Sequence, residues 1–487
     1  MSSVALSIIA AVLLSLSLSS FNLWQFAWFG FIPLFIALEN KSLRRSFVLA
    51  YLCGIIFWSA TIYWLVHVTL LGTIILILYL ALYFGLFGLG ITFVRGISGN
   101  GIFFIPCFWV LLEYIRSYLF TGFPWALIGF SQYKNLPAIQ IADITGAWGV
   151  SFLVVLVNAA FYSVMRKRLK LRVYLICAVI VFLSLAYGFY RLSNNSNLED
   201  RQAIKISVIG GNIPQDLKWD RQAVGFIQNR YEELTAACAL DNPDLIIWPE
   251  ASVPALWPSD EAEFTRVFSF ARRKNINLLA GAVSCFGGNY YNSALFIARS
   301  GVLEATYNKL HLVPFGEFVP LKNIFPFLKT IAPIGDITAG KEYTIFKHPA
   351  PFGVLICFED LFPELSRQFV KKGARFLVNI TNDAWYKEGS APYQHFAASV
   401  FRAIENRLYL ARSANTGISG FIDPFGRILS LIDDAKGKEI FVKGYSSRNI
   451  YLHPPRLTFY NQYGDFFVVL CLLFDACAII FFLKNKR

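Results

Sequence analysis

Apolar positions along the chain fall into two long blocks, 4–193 and 465–483, on either side of a middle of ordinary polarity, about 194–463. A bilayer-spanning helix needs roughly 20 apolar residues. The blocks divide into eight such runs: 4–20, 24–39, 46–66, 69–94, 101–120, 137–164, 170–191 and 465–483. The first lacks a basic leader and a small-residue cleavage pattern, so it reads as a retained span rather than a signal peptide. In the fifth, Glu113 and Arg116 stand three apart, which puts them on one helix face as a candidate pair anchoring the bundle.

The periodicity changes in the middle. "AIKISVIGGN" (203–212) alternates like a strand, whereas 221–240 carries Val224, Ile227, Tyr231 and Leu234 at helical spacing. "DLIIWPE" (244–250) reads as a buried strand closed by Trp-Pro, followed by a helix at 259–274. "NLLAGAVS" and "YNSALFIARSGVLEATYNK" read as strands, the second a hairpin about Ser300-Gly301. "FGVLICFED" is a further strand, then come a helix from Pro363 to Lys372, the strand "RFLVNITND", a helix near 392–408 and a hairpin about Pro424-Phe425-Gly426. Such alternation predicts a layered α/β sandwich. The expected organisation is a seven-span bundle at 1–193, an α/β domain at 194–463, and an eighth span with a basic tail at 464–487.

Charge orients this arrangement. Charged residues make up 15% of the chain, against roughly 25% in soluble proteins. Lys41, Arg44 and Arg45 follow span two, and Arg95 follows span four. Arg166, Lys167, Arg168, Lys170 and Arg172 follow span six, and Lys484, Lys486 and Arg487 follow span eight. Only Glu39 opposes them in the same segments, so most of the net charge of +13 sits at these four places. The positive-inside rule makes these segments cytoplasmic, both termini with them, and puts the large domain outside. The basic excess therefore reflects topology and does not point to nucleic acid. No HExxH, GxSxG or CxxC occurs, and the five histidines lack ligand spacing, which argues against zinc and serine hydrolases.

Candidate chemistry gathers where strands end. Glu250 closes "LIIWPE", Lys309 follows "ATYNK", and Cys357 closes "GVLIC". Strand ends of one sheet share a rim, where α/β folds build their sites. A thiolate nucleophile, a carboxylate that moves its proton and a cation that stabilises both thiolate and oxyanion would form a coherent device. Taken singly, each has a plainer reading: a loop carboxylate, a solvated charge, and a small core residue.

The motifs "GNIPQDLKWD", "WPEASVP", "NKLHLVPFGEFVP", "CFEDLFPEL", "TNDAWY" and "ARSANTGIS" together resemble the series of the nitrilase superfamily. With the spans and "EYIRSYLFTGFPW" (113–125), nearly the whole chain is similar to the bacterial apolipoprotein N-acyltransferases. The resemblance implies a nitrilase-like α-β-β-α sandwich and a catalytic triad of Glu250, Lys309 and Cys357. It also implies supporting roles for Glu317, which would orient Lys309 or assist proton transfer, and for Glu359 and Trp219. The family commonly reads Cys-Tyr-Glu where this chain reads Cys357-Phe358-Glu359, so any bond from that phenol must be absent or replaced.

The activity so implied moves an acyl chain from a phospholipid, through a cysteine thioester, to the N-terminal amine of a diacylated apolipoprotein. The expected partners are these two substrates and membrane lipids, with no cofactor, metal or nucleic acid, in a monomer. The expected location is the bacterial inner membrane, with the catalytic domain on the periplasmic side. An alternative is a membrane-tethered nitrilase-like amidase using water as acceptor. The apolar segment 320–337 is expected to act as a lid whose Phe325, Phe327 and Leu328 reach the membrane, the alternative being a core-packing segment.

Overall fold

The computed structural model describes residues 1–94, 101–167, 170–193, 202–319, 337–452 and 456–485. The chain forms two compact units, Met1–Asn194 with Gln462–Arg487, and Asn195–Asn461. The lid segment lies outside the described residues, except for Ile337.

In the first unit, five helices are long and apolar enough to cross a membrane: Leu43–Thr61, Leu70–Val94, Gly101–Tyr118, Ala147–Met165 and Leu171–Ser193. Shorter apolar helices lie at Ser3–Ser17, Trp24–Ala37 and Phe466–Phe481. Leu70, Ile74, Leu78 and Leu82 recur at one-turn spacing and are all exposed, a stripe suited to an apolar solvent. Two expected runs are broken. The run at 24–39 is a 3-10 turn, Trp24–Trp28, followed by the short helix Ile32–Ala37. Asn158 satisfies the break: its Nδ2 donates to the Ala27 carbonyl at 2.8 Å, and its Oδ1 accepts from the Phe31 N–H at 2.9 Å. The run at 137–164 becomes two single turns before Gly146, whose φ of 66° ends one turn and starts the helix Ala147–Met165. Broken backbone in an apolar setting persists only where such partners replace the lost ladder bonds.

Glu113 and Arg116 make no salt bridge with each other, though each weighs on the other's charge, and each holds backbone. Glu113 Oε1 accepts the Ile128 N–H at 2.8 Å. Arg116 Nη1 donates to the carbonyls of Phe123 and Trp125 at 2.6 and 2.8 Å, with its guanidinium 4.9 Å from the Trp58 ring. Together they pin the loop after their helix.

The second unit holds two sheets. The first contains β1 (Ala203–Gly210), β2 (Leu245–Ile247), β3 (Leu256–Trp257), β4 (Leu278–Phe286), β5 (Asn289–Ile297), β6 (Leu303–Asn308) and β12 (Gly444–Tyr451). Its order is β12-β1-β2-β4-β5-β6, with β3 beside β4. The second contains β7 (Phe352–Ile356), β8 (Phe376–Thr381), β9 (Leu410–Ala414), β10 (Gly420–Ile422) and β11 (Ile428–Leu431), in the order β11-β10-β9-β8-β7. Parallel pairing of β1 with β2, β2 with β4, β7 with β8 and β8 with β9 builds the middle of each sheet. Strands β2, β7, β8 and β9 are buried along their whole length, and of these β2 and β7 read as continuous apolar runs.

Helices Val224–Cys238 and Glu261–Lys274 cover the first sheet through Ile227, Tyr231, Phe264, Val267 and Phe270. Helices Pro363–Lys371 and Ala391–Asn406 pack on the second. The sheets face each other through β1 with β9 and β5 with β7. Between them Ser413 Oγ donates to the carbonyls of Ile209 and Ile247. The result is the α-β-β-α sandwich.

Two strands stop earlier than their apolar patterns suggest. β2 ends at Ile247 and β7 at Ile356. In each case a residue with positive φ turns the chain, Ala251 at 47° and Cys357 at 53°. A non-glycine residue there costs about 1 kcal/mol or more, so the surroundings must hold these turns. Gly281 of β4 supports the first: a Cβ there would collide with the Pro249 oxygen and lie 2.7 Å from Glu250 Cα. Its carbonyl accepts the N–H groups of Ser252 and Val253. Gly281→Ala is therefore expected to cost about 1–3 kcal/mol by overpacking and to displace Glu250. Thermal unfolding in detergent checks this, and an unchanged midpoint would show that the turn yields freely.

Candidate active site

Three strand ends meet in the second unit. Lys309 follows β6, is 1% exposed, and donates its main-chain N–H to the Asn292 carbonyl at 2.8 Å. Its Nζ lies 3.0 and 2.9 Å from the two Glu317 oxygens and 3.8 Å from Glu250 Oε1. Asn292 Nδ2 donates to both carboxylates, at 2.7 Å to Glu250 and 2.8 Å to Glu317. The Val313 N–H fixes the other Glu317 oxygen at 2.8 Å. Burial works against the charge on Lys309, yet Glu317, Glu250 and Cys357 outweigh it and hold the ammonium above its usual range. The cation is thus clamped between two carboxylates, both steered by one amide.

Cys357 opens the 3-10 turn Cys357–Leu361 and is almost fully buried. Burial pushes its thiol up, Glu250 adds to that, and Lys309 opposes it. The resting sulfur is therefore a thiol. It needs a base to ionise, and Glu250 is the carboxylate that weighs most on it.

Glu359 joins the two sheets. Its fully buried carboxylate accepts the Tyr307 hydroxyl at 2.8 Å and the N–H groups of Leu310 at 2.7 Å, His311 at 3.1 Å and Ile356 at 2.7 Å. It therefore binds residues on both sides of Lys309 and the residue just before Cys357. Burial pushes its carboxyl up to about 7 against the pull of these donors.

The other expected residues fall outside this mesh. Trp219 is 55% exposed and makes no hydrogen bond or ring contact among the described residues. Phe358 is buried and packs on Phe362 and His311, with ring centroids 5.2 and 6.1 Å away. Phe325, Phe327 and Leu328 lie outside the described residues.

Sequence reasoning missed what lies behind the sulfur. His395 is fully buried, with Nδ1 2.9 Å from Asp383 Oδ1 and Nε2 2.8 Å from Asp360 Oδ1. Nδ1 bonds the Asp383 carboxylate and Nε2 the Cys357 carbonyl, both of which only accept, so both ring nitrogens donate and the ring is an imidazolium. Its Nε2 also lies 3.2 Å from the Cys357 carbonyl, and Asn379 Nδ2 donates to that oxygen at 3.3 Å. Arg412 closes the cluster on Asp360 at 2.9 Å and Asp383 at 3.3 Å. Two cations thus balance two anions, and they hold the main chain of the left-handed cysteine. Asp360, Asp383 and Arg412 stand inside motifs read from the sequence, but nothing local marked them; His395 carried no signal beyond being one of five histidines. Asn292 and Lys218 were missed as well. Lys218 is buried and donates to the Glu250 carbonyl at 2.9 Å.

Residues 10–160 match the family model described as apolipoprotein N-acyltransferase N-terminal domain, and residues 205–443 that described as carbon-nitrogen hydrolase. The chain is 36% identical to an apolipoprotein N-acyltransferase of Geobacter metallireducens, over 99% of this chain and 95% of that one. It is 34% identical to one from Rickettsia prowazekii, over 81% of each. Among solved structures, an amidase from Nesterenkonia sp. aligns with a TM-score of 0.40 at 17% identity, covering 55% of this chain and 95% of its own.

The imidazolium makes stability depend on pH. Burial opposes its charge, but Asp360 and Asp383 prevail over both burial and Arg412, and raise His395 to about 9. An unfolded histidine titrates near 6.5, so folding takes up a proton between these values. The stabilisation is complete below about 6.5 and is lost as pH rises through about 9. The unfolding midpoint of the wild type is expected to fall between these limits, and that of His395→Asn to change less. Equal slopes in the two proteins would contradict the assignment.

Proposed function

The chain belongs to the apolipoprotein N-acyltransferase family, and from that premise we propose how its own residues carry the reaction. It is an acyltransferase of lipoprotein maturation and a membrane protein with a carbon–nitrogen hydrolase domain. In the first step Cys357 passes its proton to Glu250, and the sulfur attacks the carbonyl carbon of a phospholipid's sn-1 ester. Lys309 donates to the resulting oxyanion. The C–O bond then breaks, Glu250 returns the proton to the glycerol oxygen, and lysophospholipid leaves a thioester on Cys357. In the second step the α-amine of an N-terminal diacylglyceryl-cysteine attacks the thioester and gives its proton to Glu250. The C–S bond breaks, the amide is released, and the thiolate recovers the proton. Splitting one acyl transfer into two steps predicts ping-pong kinetics.

The observation that carries this reading is the clamp itself: a left-handed, buried Cys357 beside a lysine held by Glu250, Glu317 and Asn292. Glu317 keeps Lys309 pointed and charged, and Glu359 is a positioning residue. Trp219, exposed next to the buried Lys218, is suited to meet substrate at the surface.

The same reading gives the bundle eight spans in the bacterial inner membrane, with both termini cytoplasmic and the catalytic domain periplasmic. The basic segments support that orientation. It divides the chain at 193/194 and 463/464. It makes the enzyme a monomer. Working at the leaflet avoids exposing acyl chain to water, at about 0.8 kcal/mol per CH₂.

Incubated with phospholipid alone, the protein is expected to gain the mass of one acyl chain at Cys357, removable by neutral hydroxylamine. Cys357→Ala should gain none, and Lys309→Ala should acylate about 10²–10³-fold more slowly. An adduct on a serine or lysine, or an adduct on Cys357→Ala, would refute the nucleophile.

A further inference from the structure

Lys218 is a buried cation that the mechanism above leaves unused. It follows the 3-10 turn Gln215–Leu217 and is 3% exposed, while Trp219 beside it stands out in solvent. Its Nζ donates to the Glu250 main-chain oxygen at 2.9 Å. No carboxylate pairs with it among the described residues, and two of its three N–H groups have no partner there.

Charge counting gives this ammonium a purpose. Glu250, Glu317 and Lys309 together sum to minus one. The cluster behind the sulfur, Asp360, Asp383, His395 and Arg412, sums to zero. Glu359 can only add negative charge, and the Tyr386 phenol, which faces Cys357, Asp383, Glu250 and Glu317, is kept neutral by burial and by those groups. Moving a proton from Cys357 to Glu250 leaves the sum unchanged, so the thiolate would form in a site with surplus negative charge. Lys218 is held in contact with the Glu250 turn, with Glu250 and Cys357 both acting on its charge. Counting it brings the sum to zero with Glu359 neutral, and to minus one with Glu359 ionised. Burial lowers it to about 8 against the pull of Glu250 and then Cys357, so it remains mostly an ammonium at neutral pH.

We infer that Lys218 is a charge-balancing residue for acyl transfer: its ammonium, clamped on the Glu250 carbonyl, stabilises negative charge on Cys357 Sγ and on the tetrahedral intermediate. The inference rests on Cys357 being the nucleophile. A merely structural Lys218 would hold the Glu250–Ala251 turn and nothing more, and the two roles separate by pH profile.

The test uses the full chain in detergent. Alkylation of Cys357 by iodoacetamide, located by peptide mass, is followed against pH in the wild type, Lys218→Met and Lys218→Arg. A nearby cation moves a thiol's titration by about one unit or more. Lys218→Met is therefore expected to shift the profile upward by about that much, and to slow thioester formation from phospholipid about 10- to 100-fold. Lys218→Arg should stay near the wild-type profile. Should Lys218→Met not fold, Lys218→Gln, which keeps a donor without the charge, takes its place with the same expectation. A neutral variant whose profile superposes on the wild type, whatever its melting temperature, overturns the inference. A wild type that forms no adduct at Cys357 overturns the nucleophile itself, a separate and recognisable failure.

Discussion

The reaction centre depends on one buried carboxylate that bridges two sheets. Lys309 comes from the first sheet and Cys357 from the second, and no strand pairing joins β6 to β7. Glu359 closes that gap by accepting from Tyr307, Leu310 and His311 on one side and from Ile356 on the other. An ionised carboxylate has about four acceptor sites, so its capacity is filled. Hydrogen bonds to a charged group contribute about 1.5–3 kcal/mol each, and burying one ion costs several kcal/mol. The two effects are of similar size. What Glu359 supplies is therefore register between sheets more than net stability.

From that join the rest follows. With Ile356 fixed, the chain has to turn at Cys357, and it does so in a left-handed conformation that a thiol-bearing residue would not choose alone. The His395–Asn379 contacts to the Cys357 carbonyl hold the turn from behind. Gly281 lets the Glu250 turn settle against β4 from the other side. Cys357, Glu250 and Lys309 are then held by packing and main-chain bonds, the condition that the proposed electrostatic catalysis requires. The local dielectric is low enough that each charge matters, which is why cations and anions near the sulfur come in nearly matched numbers.

Much of this was legible in the sequence. Polar residues ending apolar runs identified Glu250, Lys309 and Cys357, and motif order added Glu317 and Glu359. What stayed hidden acts across elements far apart in the chain. Asn292 lies in a strand whose alternation says only which face it takes, not that two glutamates wait there. His395 sits on an amphipathic helix where one buried imidazole looks like any other core position. The residues Lys218 and Trp219 are adjacent, yet one is buried and the other exposed, which an irregular loop does not announce. In the apolar blocks, hydropathy gave runs of the right total length but could not see that Gly146 restarts a helix or that Asn158 caps a break. Glu113 and Arg116 interact without a salt bridge for a related reason: each side chain found backbone groups left open by the loop at 122–129.

The central claim is that this clamped thiol hands an acyl chain to an amine and not to water. The most direct measurement isolates the acyl-enzyme made from phospholipid carrying a labelled sn-1 chain, removes the lipid, and adds a peptide with an N-terminal diacylglyceryl-cysteine. The account predicts that label leaves Cys357 and appears in amide linkage on the peptide, at a rate that rises with peptide concentration. Label released as free fatty acid at a rate indifferent to the peptide would contradict it.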